Sequence, residues 1–138
     1  MIIDHIGIVV KNIVKGIAHW EEVFGYKQAT KVVENTRQKV KVVFLQKEGS
    51  IAIKLTEPTS DSSPIYKFAL KGGGLHHLCF KCNQIDDEIS RLKDIGLRLL
   101  AKPEPGEAFE NEKIAFIYAK NRMNIELIDT NKKADKII

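Results

Sequence analysis

The stretch DHIGIVVKNIVKGIAHWEEVFGYK, residues 4–27, decides the fold, because the chain repeats its plan in HHLCFKCNQIDDEISRLKDIGLR, residues 76–98. Each stretch predicts a β-strand, a polar break, an amphipathic helix with apolar residues three and four apart, and a glycine that ends the helix. In this alignment His77 lies 72 residues after His5. The sequence therefore contains two copies of one supersecondary unit.

The same offset holds further along the chain. VKVVFLQKEGSIAIKL, residues 40–55, aligns with EKIAFIYAKNRMNIEL, residues 112–127, so that Lys54 matches Glu126. Both stretches predict two antiparallel strands joined by a short polar turn. We therefore expect an α+β fold built from duplicated β-α-β-β-β modules.

The two modules are expected to form one domain, residues 1–138, because neither is long enough to bury its sheet alone. The first module covers residues 1–57 and the second residues 73–130. Residues 58–72 join them as a linker with a short helix.

Two details of the connecting segments follow from their residue types. In the linker, Ser63 is expected to be the helix N-cap and Pro64 the first helical residue. The closing residues 131–138 are expected to form a mobile tail.

Composition narrows the functional classes. Apolar residues make up 43% of the chain and charged residues 29%, as in ordinary globular proteins. The net charge of +4 is mild and the Lys and Arg residues are scattered, which argues against nucleic-acid binding and is compatible with a small anionic substrate. The sequence has no apolar run of membrane-spanning length and no recognisable secretory leader, so we expect a cytoplasmic protein without a membrane partner.

Cys79 and Cys82 form a C-x-x-C pattern inside a predicted strand. Residues three apart on a strand face opposite sides, so the two sulfurs are not expected to share a metal or a disulfide. We expect both cysteines to be reduced.

Strand alternation sorts the side chains of the first strand of each module into two faces. Ile6 and Ile8 are expected to face the helix, which turns His5 to the opposite side. By the repeat, His77 shares the face of His5. Its neighbour His76 is expected to face the helix and to be structural.

The closing strand of each module adds further polar residues to that face. Ile53 and Leu55 are expected in the core, which sends Lys54, and by the repeat Glu126, to the side of the histidines. A single histidine or glutamate on a strand is more often exposed or structural than functional. Four on equivalent repeat positions of one concave surface predict an active or binding site. These residues are His5, Lys54, His77 and Glu126.

Four segments resemble those of a known superfamily. They are DHIGIVV from Asp4, EPTSDSSPI from Glu57, GGGLHHLCF from Gly72 and NIELID from Asn124. In this order around duplicated modules, they are similar to the vicinal oxygen chelate superfamily of glyoxalase I, bleomycin-resistance proteins and extradiol dioxygenases. Within this superfamily the segments are most similar in sequence to those of the methylmalonyl-CoA epimerases. The resemblance covers residues 2–130 and implies a curved, cup-shaped mixed sheet with flanking helices, and a homodimer.

The resemblance also implies one divalent metal in the cup, which could be Zn, Mn, Co, Ni or Fe. Carried over by motif, its ligands would be His5, His77 and Glu126. The fourth ligand position, Glu or Gln in epimerases and glyoxalases, is Lys54 here. At about 4 Å, a lysine ammonium would repel a divalent ion by roughly 8 kcal/mol at an effective dielectric near 20. Lys54 is therefore expected to be deprotonated, turned away, or in the place of the cation.

The epimerase resemblance further implies a two-base proton exchange, in which two glutamates face the substrate carbon from opposite sides. Glu126 matches one of these glutamates. The position of the other aligns near Arg37, and Glu34, three residues upstream, would reach the cup in a shifted loop register.

The sequence is compatible with three alternative functions. The first is a metal-assisted isomerase or lyase, epimerase-like or glyoxalase-like, that enolises a small acyl compound such as a CoA thioester, with Glu126 as the general base; Lys54 in place of the fourth ligand argues against it. The second is an Fe(II) extradiol-type dioxygenase, since two histidines and a carboxylate form the iron site of such enzymes. The third is a metal-free protein, either a Lys54/Glu126 acid–base enzyme or a protein that sequesters a ligand. An ion pair between these two residues would favour the third.

Overall fold

The computed structural model describes residues 1–138 and contains ten β-strands, three α-helices and one 3-10 helix. The strands are β1 (Ile2–Val9), β2 (Lys27–Gln28), β3 (Val33–Asn35), β4 (Val40–Gln46), β5 (Ala52–Pro58), β6 (Gly74–Lys81), β7 (Arg98–Leu99), β8 (Glu104–Gly106), β9 (Glu112–Ala119) and β10 (Met123–Ile128). The helices are α1 (Ile13–Phe24), α2 (Tyr66–Leu70), α3 (Ile85–Asp94) and the 3-10 helix Glu107–Phe109.

The strands form one mixed sheet in the order β2-β4-β5-β1-β6-β10-β9-β7, with β3 paired to β4 and β8 paired to β9. The first strands of the two repeats, β1 and β6, pair antiparallel at its centre. On either side, β5 runs parallel to β1 and β10 runs parallel to β6. The sheet therefore has the two-fold pattern that the sequence repeat predicts.

The sheet is curved so strongly that its two ends meet. The carboxylate of Glu107, in the 3-10 helix, accepts hydrogen bonds from the hydroxyl of Thr36 at 2.7 Å and from its backbone N–H at 2.8 Å. Thr36 directly follows β3, at the far end of the sheet. We call the resulting concave face, which carries His5 and His77, the cup. The predicted α+β fold with duplicated modules, a curved mixed sheet and flanking helices is confirmed.

The convex face of the sheet packs against the helices. Ile53 and Leu55 are buried beneath α1, with Ile6 and Ile8 packed beside them. Leu127 is buried beneath α3 in the second module. The predicted sorting of apolar residues between the two faces is therefore confirmed. None of the three helices has both the length and the hydrophobicity of a membrane span.

Each long helix is held at its N-terminus by an acidic residue from the end of the last strand of its own module. The backbone N–H of Ile13 in α1 donates to Glu57 Oε1 at 2.7 Å. The equivalent N–H of Ile85 in α3 donates to Asp129 Oδ2 at 3.0 Å. A carboxylate here satisfies a helix N–H that has no partner within the helix and interacts favourably with the helix dipole.

The linker helix begins later than predicted. α2 starts at Tyr66, and Ser63 is not its N-cap, because the Ser63 hydroxyl donates to the backbone carbonyl of Gln38 at 3.3 Å. Pro64 lies in the turn before the helix. The hydroxyl therefore fastens the linker to the first module.

Residues 131–138 are bound to both modules, so the expectation of a mobile tail is wrong. The N–H of Lys31 donates to the carbonyl of Asp135 at 2.9 Å in the first module. The N–H of Ala134 donates to the carbonyl of Ala108 at 2.9 Å in the second. The tail therefore bridges the two ends of the curved sheet.

The helix contacts predict that Glu57→Ala and Asp129→Ala each lower the free energy of unfolding by about 1 kcal/mol, because each leaves a helix N–H without an acceptor. Urea denaturation at neutral pH measures this loss. Glu48→Ala, in the exposed turn between β4 and β5, is the matched control and should change stability by less than about 0.5 kcal/mol. Equal losses in the control and the two variants would contradict the stabilising role of the carboxylates.

Candidate functional site

Strand pairing places the four predicted residues in two neighbouring rows across the centre of the sheet. In one row, Gly7 of β1 lies between Lys54 of β5 and His77 of β6. In the other, His5 of β1 and Glu126 of β10 lie on either side of β6. The rows are two residues apart on β1, so the side chains of both rows point into the cup.

Small residues in the middle of each row make room for these side chains. A methyl group on Gly7 would lie 2.1 to 2.4 Å from ring atoms of His77, so only glycine lets the ring lie across β1. The equivalent residue of β6 is Cys79, which is buried and free. Cys82 is also free and lies in the core beneath α3, so the two cysteines are on opposite faces, as predicted.

The four side chains meet at one oxygen atom. Oε1 of Glu126 lies 2.8 Å from Lys54 Nζ, 3.0 Å from His5 Nε2 and 3.1 Å from His77 Nε2. All four residues are buried, and Glu126 has no exposed surface. The structure thus brings together every residue that the sequence predicted for the site, and their chemical roles stay predictions.

Two polar atoms at this meeting point have no hydrogen-bond partner. Glu126 Oε2 is buried without one, and His77 Nε2 lies near Oε1 without the angles of a hydrogen bond. A buried polar atom without a partner costs about 1–3 kcal/mol. The arrangement is therefore suited to a bound group that interacts with these two atoms.

The outer nitrogen of each cup histidine contacts the residue before it in the chain. His5 Nδ1 lies 2.7 Å from Asp4 Oδ2, and His77 Nδ1 lies 2.8 Å from His76 Nδ1. Asp4 and His76 occupy equivalent positions of the repeat. Such contacts orient the ring and select which nitrogen carries the proton.

β-Bulges place Asp4 and His76 in these positions. Asp4 is an extra, unpaired residue in β1, and His76 is an extra residue in β6. A bulge interrupts strand alternation, on which the prediction for His76 depended. His76 lines the cup beside His77, with its ring against Phe68 of α2. The expectation that His76 faces the helix is wrong, and sequence reasoning missed the contact of Asp4 for the same reason.

Charge compensation sets the protonation of the site. Burial by itself would raise the pKa of Glu126, but the ammonium of Lys54 and the contacts of the two histidines outweigh it and hold that pKa well below its usual range. Burial, together with the positive charge of Lys54, lowers the pKa of His77 to about 4. At neutral pH the carboxylate is therefore charged and His77 is neutral.

Three of the four side chains are suited to binding a divalent metal. Ligand atoms of His5, His77 and Glu126 lie within 4.8 Å of one another, and two histidines with one carboxylate are a common donor set for Zn or Fe. Both ring nitrogens of His5 face carboxylate oxygens, which requires either a proton on each or a cation between Nε2 and Glu126. On the fourth side Lys54 Nζ supplies a hydrogen-bond donor in place of a ligand.

The second carboxylate of a two-base epimerase is absent from the cup. Glu34 is exposed on β3 opposite Lys41, and Arg37 is exposed with its N–H donating to Glu107. Between them, Asn35 is buried and lines the cup. The shifted register that would bring Glu34 into the cup does not occur, because alternation along β3 turns Asn35 inward and Glu34 outward.

The cavity over the cluster is small, about 40 Å³, which is room for about three water molecules. Its first-module wall includes three polar residues that sequence reasoning missed, Asn35, Gln38 and Thr56. The rings of Phe109 and Phe116 are part of its apolar lining. For Thr56 the sequence does hold a signal, since its repeat position in β10 is the apolar Ile128.

Known proteins share this sequence pattern and fold. A family model described as the Glyoxalase/Bleomycin resistance/Dioxygenase superfamily matches residues 4–116. The protein YqjC of Bacillus subtilis is 38% identical over 83% of this chain and 81% of its own. An ethylmalonyl-CoA/methylmalonyl-CoA epimerase of Cereibacter sphaeroides is 27% identical over 86% of this chain and 89% of its own. The crystal structure of methylmalonyl-CoA epimerase from Mycobacterium tuberculosis is 30% identical, with a TM-score of 0.82, over 92% of this chain and 86% of that one.

The burial of neutral His77 predicts acid lability in protein freed of metal by a chelator. The pKa of His77 is about 4 when folded and about 6.5 when unfolded, so the unfolded chain takes up the proton first as the pH falls. This residue should therefore cost about 3 kcal/mol of stability between pH 6.5 and pH 4. Urea denaturation across this range measures the loss.

The variant His77→Gln should lose less stability over the same pH range, whereas His19→Gln, on the exposed face of α1, should behave as the unmodified protein. Glu126 affects stability only at lower pH. Its pKa is lowered in the folded protein, so the stability that its charged form contributes is lost only as the pH falls below about 4.5. A pH profile that His77→Gln leaves unchanged would contradict the assignment.

Proposed function

The chain belongs to the Glyoxalase/Bleomycin resistance/Dioxygenase superfamily, and we propose that it is an isomerase that removes a proton from the carbon next to the carbonyl of a small acyl compound. We propose an acyl-CoA thioester as the substrate class, because similar proteins are methylmalonyl-CoA epimerases. One observation carries the proposal: Glu126 is a fully buried carboxylate with one oxygen surrounded by three nitrogens and the other oxygen without a partner.

Glu126 is the general base in this proposal. Hydrogen bonds with His5 and Lys54 hold Oε1 in place, whereas Oε2 is free to accept the substrate proton and then to return a proton to the enolate. Without substrate, its low pKa makes it a weak base. An anionic substrate group near Lys54 would offset the positive charge that lowers this pKa, and Glu126 would become more basic when substrate is bound.

Lys54 is the second catalytic residue. A lysine ammonium has three N–H bonds, and only one of them is directed at Glu126. The other two remain for substrate oxygens, where charge-assisted hydrogen bonds would stabilise the negative charge that develops as the proton leaves. Lys54 is only 6% exposed, so water would screen this interaction weakly.

The proposal includes one divalent metal held by His5, His77 and Glu126, with Zn, Mn, Co, Ni or Fe as candidates. When bound, such an ion supplies Lewis-acid polarisation of the carbonyl oxygen. Asp4 and His76 would keep the inner nitrogens of the two histidines directed into the cup.

A metal-free form of the same reaction is the alternative, and the contact between Lys54 and Glu126 favours it. At 2.8 Å the two residues compensate each other's charge inside the cup without an ion. In this form Lys54 alone would stabilise the enolate oxygen. His5 and His77 would then serve to position the carboxylate.

Proton abstraction predicts hydrogen exchange at the substrate carbon. With methylmalonyl-CoA in D₂O, the protein should incorporate deuterium next to the thioester carbonyl faster than a protein-free blank, as measured by mass spectrometry. Glu126→Gln keeps the side-chain size and removes the base, so the rate should fall by about 100-fold or more.

The exposed Glu22→Gln on α1 is the control and should leave the exchange rate unchanged. Absence of exchange by the unmodified protein, both with and without added divalent ions, would refute the proposed reaction.

The variant Lys54→Glu separates the two forms of the proposal. It replaces a hydrogen-bond donor by a carboxylate, which would be a fourth metal ligand beside His5, His77 and Glu126. The affinity for Zn or Co should therefore rise by about tenfold or more, as measured by calorimetry. Lys102→Glu, in an exposed loop, makes the same charge change away from the cup and should have no such effect.

Elemental analysis of protein purified without chelator completes the comparison. About one divalent ion per chain in the unmodified protein supports the metal form. An ion in Lys54→Glu but none in the unmodified protein supports the metal-free form. Equal affinity in both proteins would show that Lys54 does not stand at the ion position.

A further inference from the structure

Thr56 carries a buried hydroxyl without a hydrogen-bond partner. It lies on β5 two residues after Lys54, so both side chains face the cup, and it lines the cavity. The residue is only 8% exposed, and its Oγ1 is unpaired. Burying an unpaired hydroxyl is unfavourable, and valine would occupy nearly the same space without that cost.

The rest of the chain shows that packing alone does not require this threonine. Its repeat partner is Ile128, which is fully buried in the apolar core. Thr30, another buried threonine, uses its hydroxyl twice, donating to the carbonyl of Lys31 at 2.8 Å and accepting from the N–H of Phe44 at 3.1 Å. Thr56 is polar where its repeat partner is apolar, and unpaired where Thr30 is paired.

The groups around Thr56 favour an anionic ligand. Lys54 Nζ has N–H bonds left after its contact with Glu126. Asn35 and Gln38 also line the cavity. Glu126 is the only carboxylate in the cavity wall. A hydroxyl and an ammonium on one strand face are donors suited to a carboxylate.

We propose that Thr56 Oγ1 and Lys54 Nζ form a carboxylate subsite, and that Thr56 determines specificity for acyl thioesters that carry a second, free carboxylate. The hydroxyl donates to this carboxylate and the ammonium binds beside it, while Glu126 Oε2 stays available to the substrate carbon. An acyl chain without the carboxylate leaves both donors unpaired, so it binds less tightly.

The thioester part of this inference rests on the proposed function, whereas the carboxylate part is testable without it. Acetate is the probe, acetamide is its neutral counterpart, and sodium chloride controls for ionic strength. Acetate should raise the thermal unfolding midpoint of the unmodified protein in a saturable manner, and acetamide should not. Thr56→Val should weaken the apparent affinity for acetate by about tenfold or more, and Thr56→Ser should restore it.

Stability without ligand separates a binding hydroxyl from a structural one. Thr56→Val should unfold at the same temperature as the unmodified protein or higher, because it removes an unpaired polar atom. Thr30→Val should unfold at a lower temperature, because it removes two hydrogen bonds. A midpoint lowered in Thr56→Val as in Thr30→Val would overturn the proposal. So would acetate protection that is absent from the unmodified protein or equal in Thr56→Val.

Deuterium exchange then links the subsite to turnover. Thr56→Val should lower kcat/KM for methylmalonyl-CoA by about tenfold or more and leave the value for butyryl-CoA unchanged, with Thr56→Ser close to the unmodified protein. An equal loss for both thioesters would overturn the specificity role. If the unmodified protein exchanges neither thioester but binds acetate through Thr56, the proposed function fails and the subsite stands.

Discussion

Three nitrogen atoms surround a single buried carboxylate oxygen at the centre of this protein, and their contacts join its two modules. His5 and Lys54 come from the first module, and His77 and Glu126 come from the second. A buried charge is tolerated only when opposite charge and hydrogen bonds compensate it. Neither module could therefore keep its half of this cluster alone. The polar cup exists because β1 and β6 pair and bring the two halves within contact.

The duplication provides the frame of the cup, and the differences between the copies provide its chemistry. Two identical copies would place like charges at the positions of Lys54 in β5 and Glu126 in β10. Instead, the repeat pair Lys54 and Glu126 has opposite charges and meets at 2.8 Å. The next pair along the same strands, Thr56 and Ile128, differs in polarity and makes one wall of the cavity able to bind a polar group. Lys54, Glu126 and Thr56, which carry these differences, all line the cavity.

Strand alternation predicted the fold and the four clustered residues because β1, β5, β6 and β10 pair regularly at those positions. It failed where pairing is irregular. The bulge at His76 adds one residue to β6, so the side chain lines the cup instead of the helix face. At the short edge strand β3 the apolar pattern is too brief to define the register, and Asn35 rather than Glu34 faces inward.

By itself, the sequence determined that two similar modules form one curved sheet and that a histidine from each faces the same side as Lys54 and Glu126. Only the tertiary structure decided that these groups share one oxygen atom, that Glu126 Oε2 and Thr56 Oγ1 lack partners, and that residues 131–138 bridge the sheet ends. The physical reason is that periodicity reports the face on which a side chain lies. The distance between atoms on separate strands depends on register, bulges and curvature, which arise only when the strands pack together.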